Sequence, residues 1–151
     1  MTVRPLLPSS NHLWTLAWAY LDAGDAAFSL VRSDGYSGFV VFPCVFCYFR
    51  SIELALKAVL VQHGVPEQEI TRKLGHRLSA LIVRAERFTT VSALGMRTED
   101  RALLDLFSDD YSTKWFEYPD DFWRAQPNLE EVRALAHRVR ETTMRNDNLQ
   151  S

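Results

Sequence analysis

The side chains best suited to chemistry in this chain are two histidines, each preceded four positions earlier by an arginine: Arg72 with His76, and Arg133 with His137. An imidazole moves protons near neutral pH and a guanidinium stabilises a developing anion, so either pair has the components of metal-independent phosphodiester cleavage. No nucleophile with a base beside it accompanies them, and no glycine-rich phosphate loop or Ser/His/Asp arrangement is visible. The (i, i+4) spacing of Arg133 and His137 also describes a solvated helix face. His76 follows Gly75 at a helix break, which suits a structural role.

Glu53 and Lys57 stand four apart in the order that favours an intrahelical ion pair. The sharper expectation is that the Glu53 carboxylate accepts a hydrogen bond from His76 and fixes the Gly75–His76 corner against its helix. Arg50 shares the stripe, so Arg50, Glu53 and Lys57 are read as facing that corner or a partner chain. Cys44 and Cys47 form a C-x-x-C pair, but zinc needs a second ligand pair and none is visible. Both thiols sit in an apolar run where cysteine behaves as a small core residue, so no metal and no cofactor are expected.

A formal charge of −2 offers no global attraction to nucleic acid or an anionic membrane. Locally the charge is uneven. Residues 72–87 hold five bases, including Arg77, Arg84 and Arg87, against one acid; Glu99 to Asp121 holds eight acids against two bases. The basic run is read as contacting phosphates or as complementing the acidic stretch of the same chain or of a dimer mate. Tyr111, Trp115, Phe116, Tyr118, Phe122 and Trp123 suit packing a loop onto the core, building a subunit interface or stacking bases.

These residues need elements to position them. With 151 residues, 47% of them hydrophobic and 24% charged, one globular domain with one core is expected. Ser9-Ser10-Asn11 opens a helix running to Arg32 on Leu13, Leu16, Ala17, Tyr20, Ala23 or Gly24, Ala27 and Leu30, closed near Gly35. Its small residues predict a close neighbour. Gly38 to Phe46 is strand-like by propensity but lacks a pairing partner, so a second, central helix is expected to start between Gly38 and Pro43 and end at Gln62. A short helix after Pro66 breaks at Gly75. The chain resumes over 76–88 with Leu78, Leu81, Ile82 and Ala85 on one face. A fourth helix from Thr98 buries Ala102, Leu103, Leu106 and Phe107 and bends near Asp109-Asp110. The last begins at Asn128, with Glu131 completing a capping box, and runs through Arg145 on Leu129, Val132, Leu135, Ala136 and Val139, beyond which the tail frays. The fold class is all-α: an antiparallel bundle of about five helices in one domain, its core spanning about residues 10–145. No signal peptide or membrane span is read from the sequence, and the lack of a disulfide framework points to a reducing, cytoplasmic location.

Three segments in order carry a family resemblance: Ser51-Ile-Glu-Leu-Ala-Leu-Lys57, then Gly75-His76-x-Leu78-x-x-Leu81, then Tyr111-x-x-Lys114-Trp-x-x-Tyr118-Pro119 ahead of a final helix. Over roughly residues 10–145 the chain resembles the HEPN domain superfamily. That resemblance implies a helical bundle, frequent homodimerisation and an association with RNA or nucleotides; some members are toxin ribonucleases paired with a nucleotidyltransferase antitoxin. Ribonuclease members carry an arginine followed, after four to six residues, by a histidine. Here three residues separate Arg72 from His76 and Arg133 from His137, so the chain resembles members that lack the ribonuclease motif. It is read as a non-catalytic binding or interaction module, with a metal-independent endoribonuclease or a structural protein-protein subunit as alternatives.

Overall fold

The computed structural model describes residues 7–33, 38–119 and 125–149, and among them there are helices and no strands. Helix α1 spans Ser10–Val31, capped by the Ser9 hydroxyl, which accepts from the His12 amide. A 3₁₀ turn at Gly38–Val40 leads into α2, Val41–Gln62, with Pro43 tolerated in its first turn. The strand-like run is helical, as expected from its lack of a partner. α2 closes through Gly64 at φ 74°: Gly64 N–H donates to the Val61 carbonyl and Val65 N–H to the Leu60 carbonyl, the paired bonds of a left-handed cap.

After Pro66 the chain makes a π-helical turn, Glu69–Leu74, then α3, Leu78–Ala85. All four apolar residues read from periodicity in α3 are fully buried. α4 covers Thr98–Ser112, with Asp100 accepting from the Arg97 amide at its start. α5 covers Leu129–Leu149; the Asn128 side chain accepts from the Glu130 and Glu131 amides.

α2 is the axis of the bundle, and every residue from Ser51 to Leu60 is buried. α1, α3 and α5 pack directly on it, and α4 packs on α3. α1 and α2 approach closely where the Tyr48 ring lies over Gly24, so tightly that a Cβ there would meet it at 2.7 Å. By length and composition Gly38–Gln62 is apolar enough to cross a membrane, but 61% of its most apolar window is buried inside the bundle. That burial accounts for its composition.

Several sequence expectations are corrected. α4 is rotated from the expected face: Leu104, Phe107, Ser108 and Tyr111 are buried, whereas Ala102 is exposed and Leu106 is 71% exposed. Several stripes are possible in a helix with scattered leucines, and the anchoring of Tyr111 to α2, described below, selects this one. α4 also continues past Asp109-Asp110 to Ser112. In α1 the buried stripe is Leu13, Ala17, Leu21 and Gly24, leaving Leu16 and Leu30 exposed, because α2 approaches along the small residues. α3 starts two residues later than expected and ends at Ala85, while α5 runs beyond Arg145 to Leu149. The closure near Gly35, and Phe122 and Trp123, lie outside the described residues.

Candidate functional site

Two carboxylates organise the polar interior, and each ties together separate parts of the chain. The first is Glu53, whose side chain is wholly buried. Its Oε1 accepts from Arg50 Nη1 at 2.9 Å, Lys57 Nζ at 2.6 Å and His76 Nδ1 at 3.0 Å. A carboxylate only accepts, so the His76 Nδ1 carries the hydrogen. Its Oε2 accepts from the Tyr111 hydroxyl. α2, the Gly75–His76 corner and the end of α4 thus meet at one side chain. Both readings of Glu53 hold at once: it pairs with Lys57 inside the helix and it accepts from His76.

Burial acts to raise the Glu53 pKa, but the His76 hydrogen bond and the Lys57 and Arg50 charges outweigh it and hold the carboxyl at about 2. The Tyr111 hydroxyl is driven the other way, first by burial and then by the adjacent carboxylate, so it stays protonated and donating. The charged stripe is not on the surface as a stripe usually is: only Arg50, 27% exposed, and His76 reach a small cleft above Glu53.

The second carboxylate, Asp25 of α1, was not singled out from the sequence. Its Oδ1 accepts from the Tyr48 hydroxyl at 2.8 Å and from Arg133 Nε at 2.9 Å, and its Oδ2 accepts from His137 Nε2 at 2.8 Å. Burial again works upward, and the bonds from His137 and Tyr48 nevertheless hold Asp25 below its ordinary value. Arg133 also lies 5.0 Å from the Phe28 ring centre. Arg133 and His137 are therefore a docking pair for α1 and not a solvated face. The available signal was an acid inside the small-residue run Ala23-Gly24-Asp25-Ala26-Ala27, a place where only a partner from another element satisfies it. Asp25→Ala is expected to cost about 2 kcal/mol in urea denaturation, since it orphans the buried Tyr48 hydroxyl and releases the Arg133 and His137 donors. A cost indistinguishable from zero would remove the tether from the account.

The other candidates are dispersed. Arg72 is exposed and His76 turns its Nδ1 to Glu53 instead, so that pair does not assemble. Arg84 forks onto Glu69 at 3.0 and 3.2 Å. Arg77 donates to the Lys73 carbonyl. Arg77, Arg84 and Arg87 line one wall of an α3–α4 groove of about 610 Å³, with Asp105 and Asp109 also lining it. The one acid of the basic run, Glu86, pairs with a base of the acidic run, Arg101, and Asp100 pairs with Arg138 of α5 at 2.7 Å. The two charged segments therefore meet partly in the opposite sense to the expected one. Trp115 and Phe116 are buried against Phe42 and Phe49 and hold the turn after α4 to α2, while Tyr118 is 75% exposed.

Cys44 is buried with its Sγ 3.4 Å from the Gly24 carbonyl, and burial, with Cys47 nearby, pushes its thiol up to about 12. Such a thiol is a packing group and not a nucleophile. Among the described residues no three His, Cys, Asp or Glu side chains are placed to hold a metal ion. In comparisons with known proteins, no protein-family model, no curated protein and no solved structure matches the chain.

Proposed function

We propose that this chain is a non-catalytic, HEPN-like binding and interaction module that works as a homodimer, with RNA or a nucleotidyltransferase as the further partner. The supporting observation is that Arg72 and His76 do not come together, since His76 bonds the buried Glu53 of its own chain instead. One face open to a partner is the α3–α4 groove, lined by Val83 at 53% exposure, with Leu106 of the same α4 at 71% exposure. A twofold-related copy would set the arginines of one α3 against Asp105 and Asp109 of the other α4 over those two apolar residues, a self-complementary pattern. Leu106→Glu is expected to convert a dimer into a monomer in sedimentation while leaving the far-ultraviolet helical signal that of the parent. A parent chain that sediments as a monomer at all concentrations would overturn the dimer.

One observation favours the enzyme reading. Asp25 orients His137 as a carboxylate orients a general base, with Arg133 adjacent. Incubating the protein with mixed RNA and chelator separates the two readings. Intact RNA is expected, and cleavage abolished by His137→Ala or His76→Ala would make the chain a ribonuclease.

A further inference from the structure

Where α2 begins, the aromatic core comes to the surface. Phe39, Phe42, Phe46 and Phe116, with two prolines, line a pocket of about 350 Å³, and Glu117 is the one charged side chain among the described residues of its wall. Three of the rings are braced from behind. Phe42 meets Trp115 edge-on at 5.5 Å, Phe116 lies 5.4 Å from Phe49, and Phe46 lies 6.2 Å from Tyr111. Closing the pocket by turning these rings inward would cost that packing.

Phe39 is the outer wall. It belongs to the 3₁₀ turn Gly38–Val40, is 62% exposed, and stands 6.4 Å from Phe42 with the two ring planes tilted by 50°. Tilted rings make the wall concave, and the exposed ring continues the apolar lining out to solvent, the kind of patch that marks a ligand site. The wall chemistry then selects the ligand. Phenylalanine and proline side chains hold no hydrogen-bond donor, so neither an anion nor a hydroxyl-rich neutral molecule finds there a replacement for its water. The ring faces are electronegative and Glu117 carries a full negative charge. A cation wrapped in methyl groups answers both, because its surface is apolar while its charge is attracted to rings and carboxylate alike. A primary ammonium keeps its water too tightly for walls of this kind.

We propose that this pocket binds a small quaternary ammonium compound of about the size of choline. Its volume lies just above the roughly 300 Å³ at which small-molecule sites begin, which suits a compact ligand. Glu117 also borders the cleft above Glu53, where Lys114 is the opposing charge and moderates the attraction. No residue of this pocket lines the α3–α4 groove, so the site stands independently of the dimer.

Calorimetric titration of the full chain with choline tests this, alongside 3,3-dimethylbutan-1-ol, its uncharged carbon isostere, and ethanolamine, its unmethylated counterpart. Saturable binding of choline is expected, with the isostere and ethanolamine each about tenfold weaker. Phe39→Leu keeps an apolar wall but removes the ring face and should weaken choline about fivefold, and Glu117→Gln should weaken it about threefold. Both side chains are exposed, so the melting temperature of either variant should match the parent, and a loss of binding is then not a loss of fold. The assignment fails if choline does not bind at tens of millimolar, if the isostere binds as tightly, or if both variants bind like the parent. A trimethyl-lysine peptide that binds more than about tenfold tighter than choline would give the pocket to a modified protein and overturn the small molecule.

Discussion

Glu53→Gln is expected to destabilise the fold by about 3–5 kcal/mol, the cost of leaving a buried cation without its counter-charge. Lys57, with a side chain 6% exposed, then faces a neutral amide that must also serve Arg50, His76 and Tyr111. Urea denaturation at neutral pH measures it, and a loss below about 1 kcal/mol would show that the carboxylate is not the junction of the bundle. Glu53→Leu with Lys57→Met should recover only the part of the loss due to the unpaired buried ammonium, because the Tyr111 hydroxyl, Arg50 and His76 still lack their acceptor.

The same residue sets the acid limit. Its folded pKa, about 2, lies below the ordinary 4.5. A depressed carboxyl contributes stability that is fully present above its unfolded pKa and is lost as pH falls towards the folded one. Asp25 acts in the same direction. Stability should therefore decline from about pH 4.5 down to about 2, and the part of that decline due to Glu53 should be absent in the variant that combines Glu53→Leu with Lys57→Met.

The second large effect is expected at Gly95. Its φ is 81°, and an added Cβ would meet the Arg138 carbonyl oxygen at 2.5 Å and the Thr142 hydroxyl at 2.7 Å. Helix backbone does not yield as a side-chain tip does, so Gly95→Ala combines left-handed strain with overpacking and should cost about 2–4 kcal/mol. Gly64 is the control. It has φ 74° and nothing within 4 Å of its would-be Cβ, so Gly64→Ala should cost only about 1 kcal/mol. Equal losses in thermal melts of the two variants would mean that the contact with α5 is not tight.

By itself the sequence determined the helical class, the central place of α2 and the apolar faces of α3 and α5, since 3.6-residue periodicity and caps are local properties. It also made the Glu53–His76 contact legible, because a charge in an otherwise apolar helix and a histidine at a glycine break each ask for a partner. Only the tertiary structure decided the rotation of α4, the burial of Lys57 and the role of Asp25. The α4 sequence allows more than one apolar stripe, and the Tyr111 hydroxyl reaching Glu53 across 58 positions chooses among them. Asp25 meets Arg133 and His137 across 108 and 112 positions. Periodicity says which side of a helix is turned inward, but not which charged group of a distant helix stands opposite. Arg133 and His137 therefore read as a solvated pair until the fold sets a carboxylate against them.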